Sequence, residues 1–185
     1  ANTYTYLGGQ TVQTGLTSTS PIKRTLQQRL DELVSVKSFG APGDGSDQTI
    51  AIQRAIDQLY INSSTKGTEE SRATLYFPPG IYKITATIYI PPFATIVGAG
   101  KDKTKFSVTN NVVAFQTVNE SSTPGNYAND SSSTTVNQPR QIVLKDFTVA
   151  TTQTTQPVLK LQSCKMSNFE NIRITGPWTT GTAIT

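Results

Sequence analysis

Apolar positions along the chain fall into distinct regimes. Residues 1–24 mix Thr, Gln, Gly and Tyr with no lasting period, which predicts an extended arm that orders only against a partner, or a plain disordered tail. From Lys23 to Val34, Leu26, Leu30 and Leu33 recur at i, i+4 and i+7, the spacing of one helical stripe. A helix of about three turns is marginal alone. The stripe therefore has to bury itself, either as a parallel trimer seam or against the chain's own body, and one heptad does not choose between the two.

Val34 to Phe39 alternates as a strand would and runs into Gly40-Ala-Pro-Gly-Asp-Gly-Ser-Asp47, a glycine-rich turn. A helix is predicted from Thr49 to Tyr60, with Ile52, Ala55, Ile56 and Leu59 on one face and Asp47 or Ser46 placed to cap its free N–H groups. Beyond the polar loop from Asn62 to Arg72 the period shortens. Thr74–Phe77, Ile81–Ile84, Thr87–Ile90, Thr95–Val97, Phe106–Val108 and Val112–Val118 read as short strands, punctuated by Pro78-Pro79-Gly80, Pro91-Pro92 and Gly98-Ala99-Gly100. No helical segment intervenes, which argues against alternating β-α-β architecture. Residues 119–139 are low in complexity and read as a surface insertion, either functional or mobile. Past it, Leu144-Lys-Asp146-Phe147-Thr-Val149 matches Phe169-Glu-Asn171-Ile172-Arg-Ile174 at an offset of 25. A repeat of that length built from short strands points to a solenoid.

Composition sharpens this picture. Only 15 % of the residues are charged, and abundant Thr, Val and Ile favour strands over long solvent-facing helices. The length of 185 residues permits one domain. The net charge of +4 is spread thinly, and its one cluster, Lys101, Lys103 and Lys105, is too small to predict a nucleic-acid partner. The absence of histidine excludes Ser–His–Asp and Cys–His relays, HExxH zinc helices and Cys₂His₂ fingers. The single Cys164 forms no internal disulfide and no CxxC centre. No metal or cofactor is expected. Apolar runs fall far short of the roughly 18 residues of a membrane span, so no membrane insertion is expected. Ala1 to Ser20 has neither a basic start nor an apolar stretch, and predicts no secretory signal.

Candidate chemistry is sparse. Gly43-Asp-Gly45 lacks the third glycine of a dinucleotide turn, and Gly98-Ala-Gly100-Lys101 lacks the first Gly and the final Ser or Thr of a P-loop. Polysaccharide hydrolysis would need paired carboxylates. The plausible acids are Asp44, Asp47, Asp57, Asp102, Glu120, Asp130, Asp146 and Glu170. The first three belong to the turn and the helix. Asp146 and Asn171 occupy matching places in the repeat, as a turn or stacking position would. Glu170 and Arg173, three apart in one strand, are expected on opposite faces. No catalytic residue is assigned. Trp178, beside Gly176-Pro177, is a candidate for stacking on a sugar ring, with a place at the edge of the core as the alternative.

The segment from Val34 to Asp57, containing Ser38-Phe-Gly-Ala-Pro-Gly-Asp-Gly-Ser-Asp-Gln-Thr49 and Ile52-Gln-Arg-Ala-Ile-Asp57, resembles the opening segment of the pectate-lyase-like right-handed β-helix superfamily. Leu75-Tyr-Phe-Pro-Pro-Gly-Ile-Tyr82 resembles its next strand, and Ile96-Val-Gly-Ala-Gly100 with Thr104 the following turn. Arg24 to Leu33, directly before, resembles phage tail fibres and tailspikes. The resemblance covers residues 24–108 well and 140–175 loosely. Ser38 and Gln48 depart from it, each standing where the superfamily usually has Asp.

That resemblance implies a mainly β, right-handed parallel β-helix with an N-terminal capping helix and an extended or helical arm. The cap would cover an otherwise open end of unpaired backbone. The expected division is a virion-attachment arm at 1–24, a short helical neck at 25–36, and the rungs at 37–185 with the cap at 49–60. At about 25 residues per rung, Thr74 to Thr185 holds four to five. The chain stops in a strand-like run, Gly181 to Thr185, so it is expected to be the N-terminal portion of something longer, or a domain whose end another chain covers. The first functional reading is a tailspike or tail-fibre component, a homotrimer seamed by Leu26, Leu30 and Leu33. It would dock to other tail or baseplate proteins through residues 1–24, meet host-surface polysaccharide, and belong to the virion after assembly in the host cytoplasm. The alternative is a polysaccharide depolymerase, lyase or hydrolase, whose groove lies beyond Thr185 or between chains. A third, a monomeric secreted enzyme, fits the leucine stripe less well.

Overall fold

A computed structural model describes residues 3–5, 23–26, 30, 33–61, 73–128, 137–152, 155–177 and 183–185. Its strands stack in parallel on three faces. The first face carries β3 (Leu33–Ser35), β5 (Thr74–Phe77), β8 (Thr95–Gly98) and the leading halves of β11 (Val143–Thr151) and β13 (Asn168–Thr175). The second carries β4 (Asp44–Asp47), β6 (Gly80–Ile84), β9 (Thr104–Val108) and the trailing halves of β11 and β13. The third carries β7 (Ile88–Ile90), β10 (Phe115–Thr117) and β12 (Leu159–Lys160), with Leu159 bridged onward to Ile184. This is a parallel β-helix. The two remaining strands, β1 (Thr3–Thr5) and β2 (Lys23–Thr25), pair with each other antiparallel at the two ends of the predicted arm.

Period-two burial builds each rung. In β5, Leu75 and Phe77 point in while Thr74 and Tyr76 point out. The inward positions line up down the stack: Leu75, Ile96, Leu144 and Phe169 on one face, and Tyr82, Phe106, Val149 and Ile174 on the next. Aromatic rings fill the centre, with Phe106 in edge contact with Phe77, Phe115 and Phe147 at centroid distances of 5.0, 5.0 and 5.1 Å. The offset-25 repeat is a real register, since Leu144 pairs with Phe169 and Val149 with Ile174.

At the corner between the first two faces, Asp146 and Asn171 take left-handed φ angles of 64° and 51°. The Asn171 amide donates to the Asp146 carboxylate at 2.7 Å. One rung earlier Gly98 holds the corner, because a Cβ there would collide with the Asp146 carbonyl oxygen. The repeat position read as a turn or stacking site is both.

Helix α1 (Thr49–Ile56) buries Ile52, Ala55 and Ile56, and a π-helical turn over Asp57–Ile61 carries Tyr60 and Ile61 into the core. The predicted helix is therefore α only to Ile56, and the wider turn brings two adjacent residues inward together. Asp47, one residue before the N-cap Gln48, accepts from the Thr49 N–H at 3.1 Å and so satisfies one of the helix's free N–H groups. Among the described residues the first rung has no strand on the third face, and the helix stands in its place. Gln53 donates to the Tyr89 carbonyl at 3.2 Å and accepts from the Tyr89 N–H at 2.8 Å. One side-chain amide thus satisfies both backbone groups that a missing strand would have paired. The Tyr60 hydroxyl accepts from the Leu75 N–H at 3.2 Å and lies 2.8 Å from the carbonyls of Ala73 and Thr95. Burial pushes its phenol well above the ordinary range.

Two sequence expectations change. The strand over Val34–Phe39 ends at Ser35. Ser35 caps a 3-10 turn over Val36–Phe39 that Gly40 closes at a φ of 91°. The helix over Lys23–Val34 gives way to β2 at its start and β3 at its end, leaving Leu26 and Leu30 with helical backbone. Leu33 to Ser35 pair with Thr74 to Tyr76, and that long-range ladder outweighs the local helical period. Gln48, one of the two departures from the superfamily pattern, is 2 % exposed. Its amide accepts from the Gly43 N–H at 3.1 Å and donates to Asp44 at 2.9 Å, so a neutral side chain pins the glycine turn from within.

Candidate functional site

The described part of the low-complexity insertion builds a shaped surface loop. From Asn119 to Ala128 it is a closed loop. Asn119 N–H donates to the Ala128 carbonyl at 3.1 Å, and Thr123 and Asn126 exchange two bonds of 2.9 Å. Ser122 accepts from the Ala128 N–H at 3.0 Å. Its Ser, Thr and Asn residues form turns by local hydrogen bonding, so low complexity here encodes a shape.

The loop delivers Tyr127 onto Tyr89 of β7. The rings stack with centroids 4.3 Å apart at 15°. The Tyr127 hydroxyl donates to one oxygen of Asp57 at 2.7 Å, and Gln53 donates to the other at 2.8 Å. Burial, helped by the Asp57 carboxylate, pushes the Tyr127 phenol up to about 12. Between loop and helix lies an open cleft of about 640 Å³, walled by Ile50, Arg54, Tyr89, Pro124 and Tyr127. That volume lies within the roughly 300–1,000 Å³ usual for ligand clefts. Ile50 is 75 % exposed and faces away from the core.

The acids predicted from sequence are mostly engaged. Asp44 holds Ser46 and Gln48, and Asp47 holds Thr49 and Thr85. Hydrogen bonds from Ser46 and from Thr49 hold these two carboxyls below their ordinary 3.8, so they stay ionised and serve the turn. Glu120 pairs with Arg140, and Asp102 with Arg173, both at 2.5 Å. Asp130 lies outside the described residues. Glu170 and Arg173 both face outward, contrary to strict alternation, because the left-handed Asn171 adds a residue on the outer side of β13. Arg173 pairs with Asp102 on the β8–β9 turn, not with Glu170. Among the described residues, Asp57 is the one carboxylate that lines the cleft.

Leu26, Leu30 and Leu33 are 48 %, 57 % and 53 % exposed. Trp178 lies outside the described residues. The Tyr89–Tyr127 pair and Arg54 escape sequence reasoning, since nothing local ties a tyrosine after Pro124-Gly125 to a strand far earlier in the chain.

A capped stack of parallel rungs with a loop-built cleft at its helical end defines a β-helix protein. The chain belongs to the rhamnogalacturonase A/epimerase, pectate lyase-like family, whose model matches residues 33–184. It is similar to a glucan 1,3-beta-glucosidase of Cochliobolus carbonum, 38 % identical over 66 residues, which are 35 % of this chain and 7 % of that protein. Among solved structures it resembles ORF18 of Geobacillus virus E2, with 25 % identity and a TM-score of 0.55 over 80 % of this chain and 26 % of that one. The A-module of Azotobacter vinelandii mannuronan C-5 epimerase AlgE4 aligns at 17 % identity and a TM-score of 0.43, over 82 % of this chain and 58 % of that module. The chain therefore spans a small part of the glucosidase and about a quarter of the viral protein. Among the described residues no helix is long and apolar enough to cross a membrane.

Proposed function

We propose that the chain belongs to a phage virion protein, a tailspike or tail-fibre component whose β-helix meets host-surface polysaccharide. The observation that carries this reading is the similarity to a Geobacillus virus E2 protein across 80 % of this chain. The exposed Leu26 and Leu30 before the first rung, and Leu33 at its start, support it, because none of the three belongs to the buried core among the described residues. In this reading Leu26, Leu30 and Leu33 seam a homotrimer, and residues 1–24 dock to other tail or baseplate proteins in the virion.

Family membership and the glucosidase similarity favour a second reading, a polysaccharide depolymerase. Its catalytic groove would lie outside the described residues or between subunits.

Light scattering of the purified chain tests the first reading. A mass of three chains is expected, falling to one on Leu30→Asp. A wild-type monomer, or a trimer indifferent to that substitution, overturns the seam. Release of reducing ends or unsaturated products from host capsular polysaccharide tests the second.

A further inference from the structure

We infer that Tyr89 and Tyr127 form a built site for oxidative cross-linking. A one-electron oxidant that enters the cleft joins their rings as dityrosine and so fixes the 119–128 loop covalently to the third face. The pair lies within one chain and does not depend on trimer formation.

Three observations carry the inference. The first is proximity. The two rings stack with centroids 4.3 Å apart at 15°. Ring carbons in so close a pair lie at van der Waals contact, roughly 3.5–4 Å, little beyond the separation of about 3–3.5 Å at which reacting atoms are productively held. Among the described residues the ring contacts pair no other two tyrosines; Tyr82 meets Phe77 and Phe106.

The second is a placed proton acceptor. A neutral phenol gives up an electron readily only when its proton leaves as well, because the phenol radical cation is a strong acid. The Tyr127 hydroxyl already donates to Asp57 at 2.7 Å, inside the reach of about 2.6–3.2 Å that proton transfer needs. Gln53 holds the other Asp57 oxygen at 2.8 Å and also both backbone groups of Tyr89. One amide therefore fixes the acceptor and the partner ring together.

The third is access. Tyr89 and Tyr127 are half-buried and line the open cleft beside Asp57, whereas Tyr60 and Tyr82 are 2 % and 0 % exposed. A small oxidant reaches the stacked pair and not the tyrosines of the core.

Each phenol loses one electron to the oxidant and one proton, from Tyr127 to Asp57 and from Tyr89 to solvent. The two radicals pair at the carbons ortho to their hydroxyls and form one C–C bond. Each ring then moves the hydrogen on that carbon to its oxygen and is aromatic again. Two electrons and two protons leave in all, and both hydroxyls remain.

Illumination of the purified chain with a ruthenium tris-bipyridyl complex and persulfate, a small one-electron oxidant, tests the site. Proteolysis and mass spectrometry should find the Tyr89 and Tyr127 peptides joined, two hydrogens lighter than their sum. The product should come from material that runs as a single chain on a denaturing gel, and should exceed any other tyrosine pair severalfold. Because the bond ties distant points of the chain, it should also raise the thermal midpoint. Tyr89→Phe and Tyr127→Phe should each abolish the product. Asp57→Asn should lower its yield severalfold, and Asp57→Glu should recover part. No joined pair overturns the inference. So does a yield as high in the urea-unfolded chain as in the folded one, or cross-linking mainly between chains. An undiminished yield in Asp57→Asn overturns the part given to Asp57. None of these outcomes bears on the mass measurement that tests the trimer.

Discussion

Asn171 and Asp146, separated by one rung, both adopt left-handed backbone and share a 2.7 Å hydrogen bond between their side chains. Asn and Asp tolerate that conformation better than other non-glycine residues because their short polar side chains bond locally. The pair therefore turns the chain at the corner and tethers adjacent rungs.

Asn171→Val should be the more damaging change at this corner. A β-branched residue at positive φ, together with the lost bond, should cost about 2 kcal/mol. Asn171→Gly relieves the backbone and should cost about 1 kcal/mol. Urea denaturation of both variants checks the order. Equal losses would mean that the side-chain bond, not the backbone, sets the cost.

Gly98 faces the Asp146 carbonyl oxygen so closely that any side chain displaces backbone. Gly98→Ala should cost about 3 kcal/mol or more, at the upper end of overpacking, and lower the melting temperature accordingly. A melt like that of the wild type would show that the two rungs separate freely.

Gln53→Leu removes one amide and leaves the Tyr89 N–H and C=O without their partner. A loss of roughly 2–3 kcal/mol is expected. Amide hydrogen exchange at Tyr89 should accelerate well before global unfolding. Unchanged protection at Tyr89 would overturn the role of the helix as a substitute strand.

Stability should be flat near neutral pH and fall at both extremes. Tyr82 and Tyr127 are each pushed up to about 12 from 10.0, chiefly by burial. The fold favours their neutral form, so that contribution is whole below about pH 10 and drains away as pH rises towards about 12. Asp44 and Asp47 are held below 3.8. Their contribution is present above that value and is lost as pH falls through the lowered range. Thermal melts across pH test both limbs, and Tyr127→Phe should reduce the alkaline loss.

The sequence pattern by itself pointed to a strand-built solenoid, and the resemblance to the pectate-lyase-like superfamily implied the parallel β-helix. Alternating strands closed by Pro and Gly, the amphipathic run from Thr49 and the match between Leu144–Val149 and Phe169–Ile174 are local patterns, and each follows from a burial rule acting within a few residues. The pattern also placed Asp47 beside the helix's free N–H groups and Asp146 with Asn171 at a turn, because polar side chains that bond their own backbone leave a local signature. Tertiary structure alone decided the rest. Leu33 to Ser35 became strand because Thr74 to Tyr76 lay ready to pair. The outward turn of both Glu170 and Arg173 required a left-handed residue between them. The cleft needed Tyr89 and Tyr127 brought face to face from consecutive rungs, with Arg54 beside them. Periodicity reports which side of a strand or helix is buried; it carries no information on which distant side chains the winding of the solenoid sets against one another.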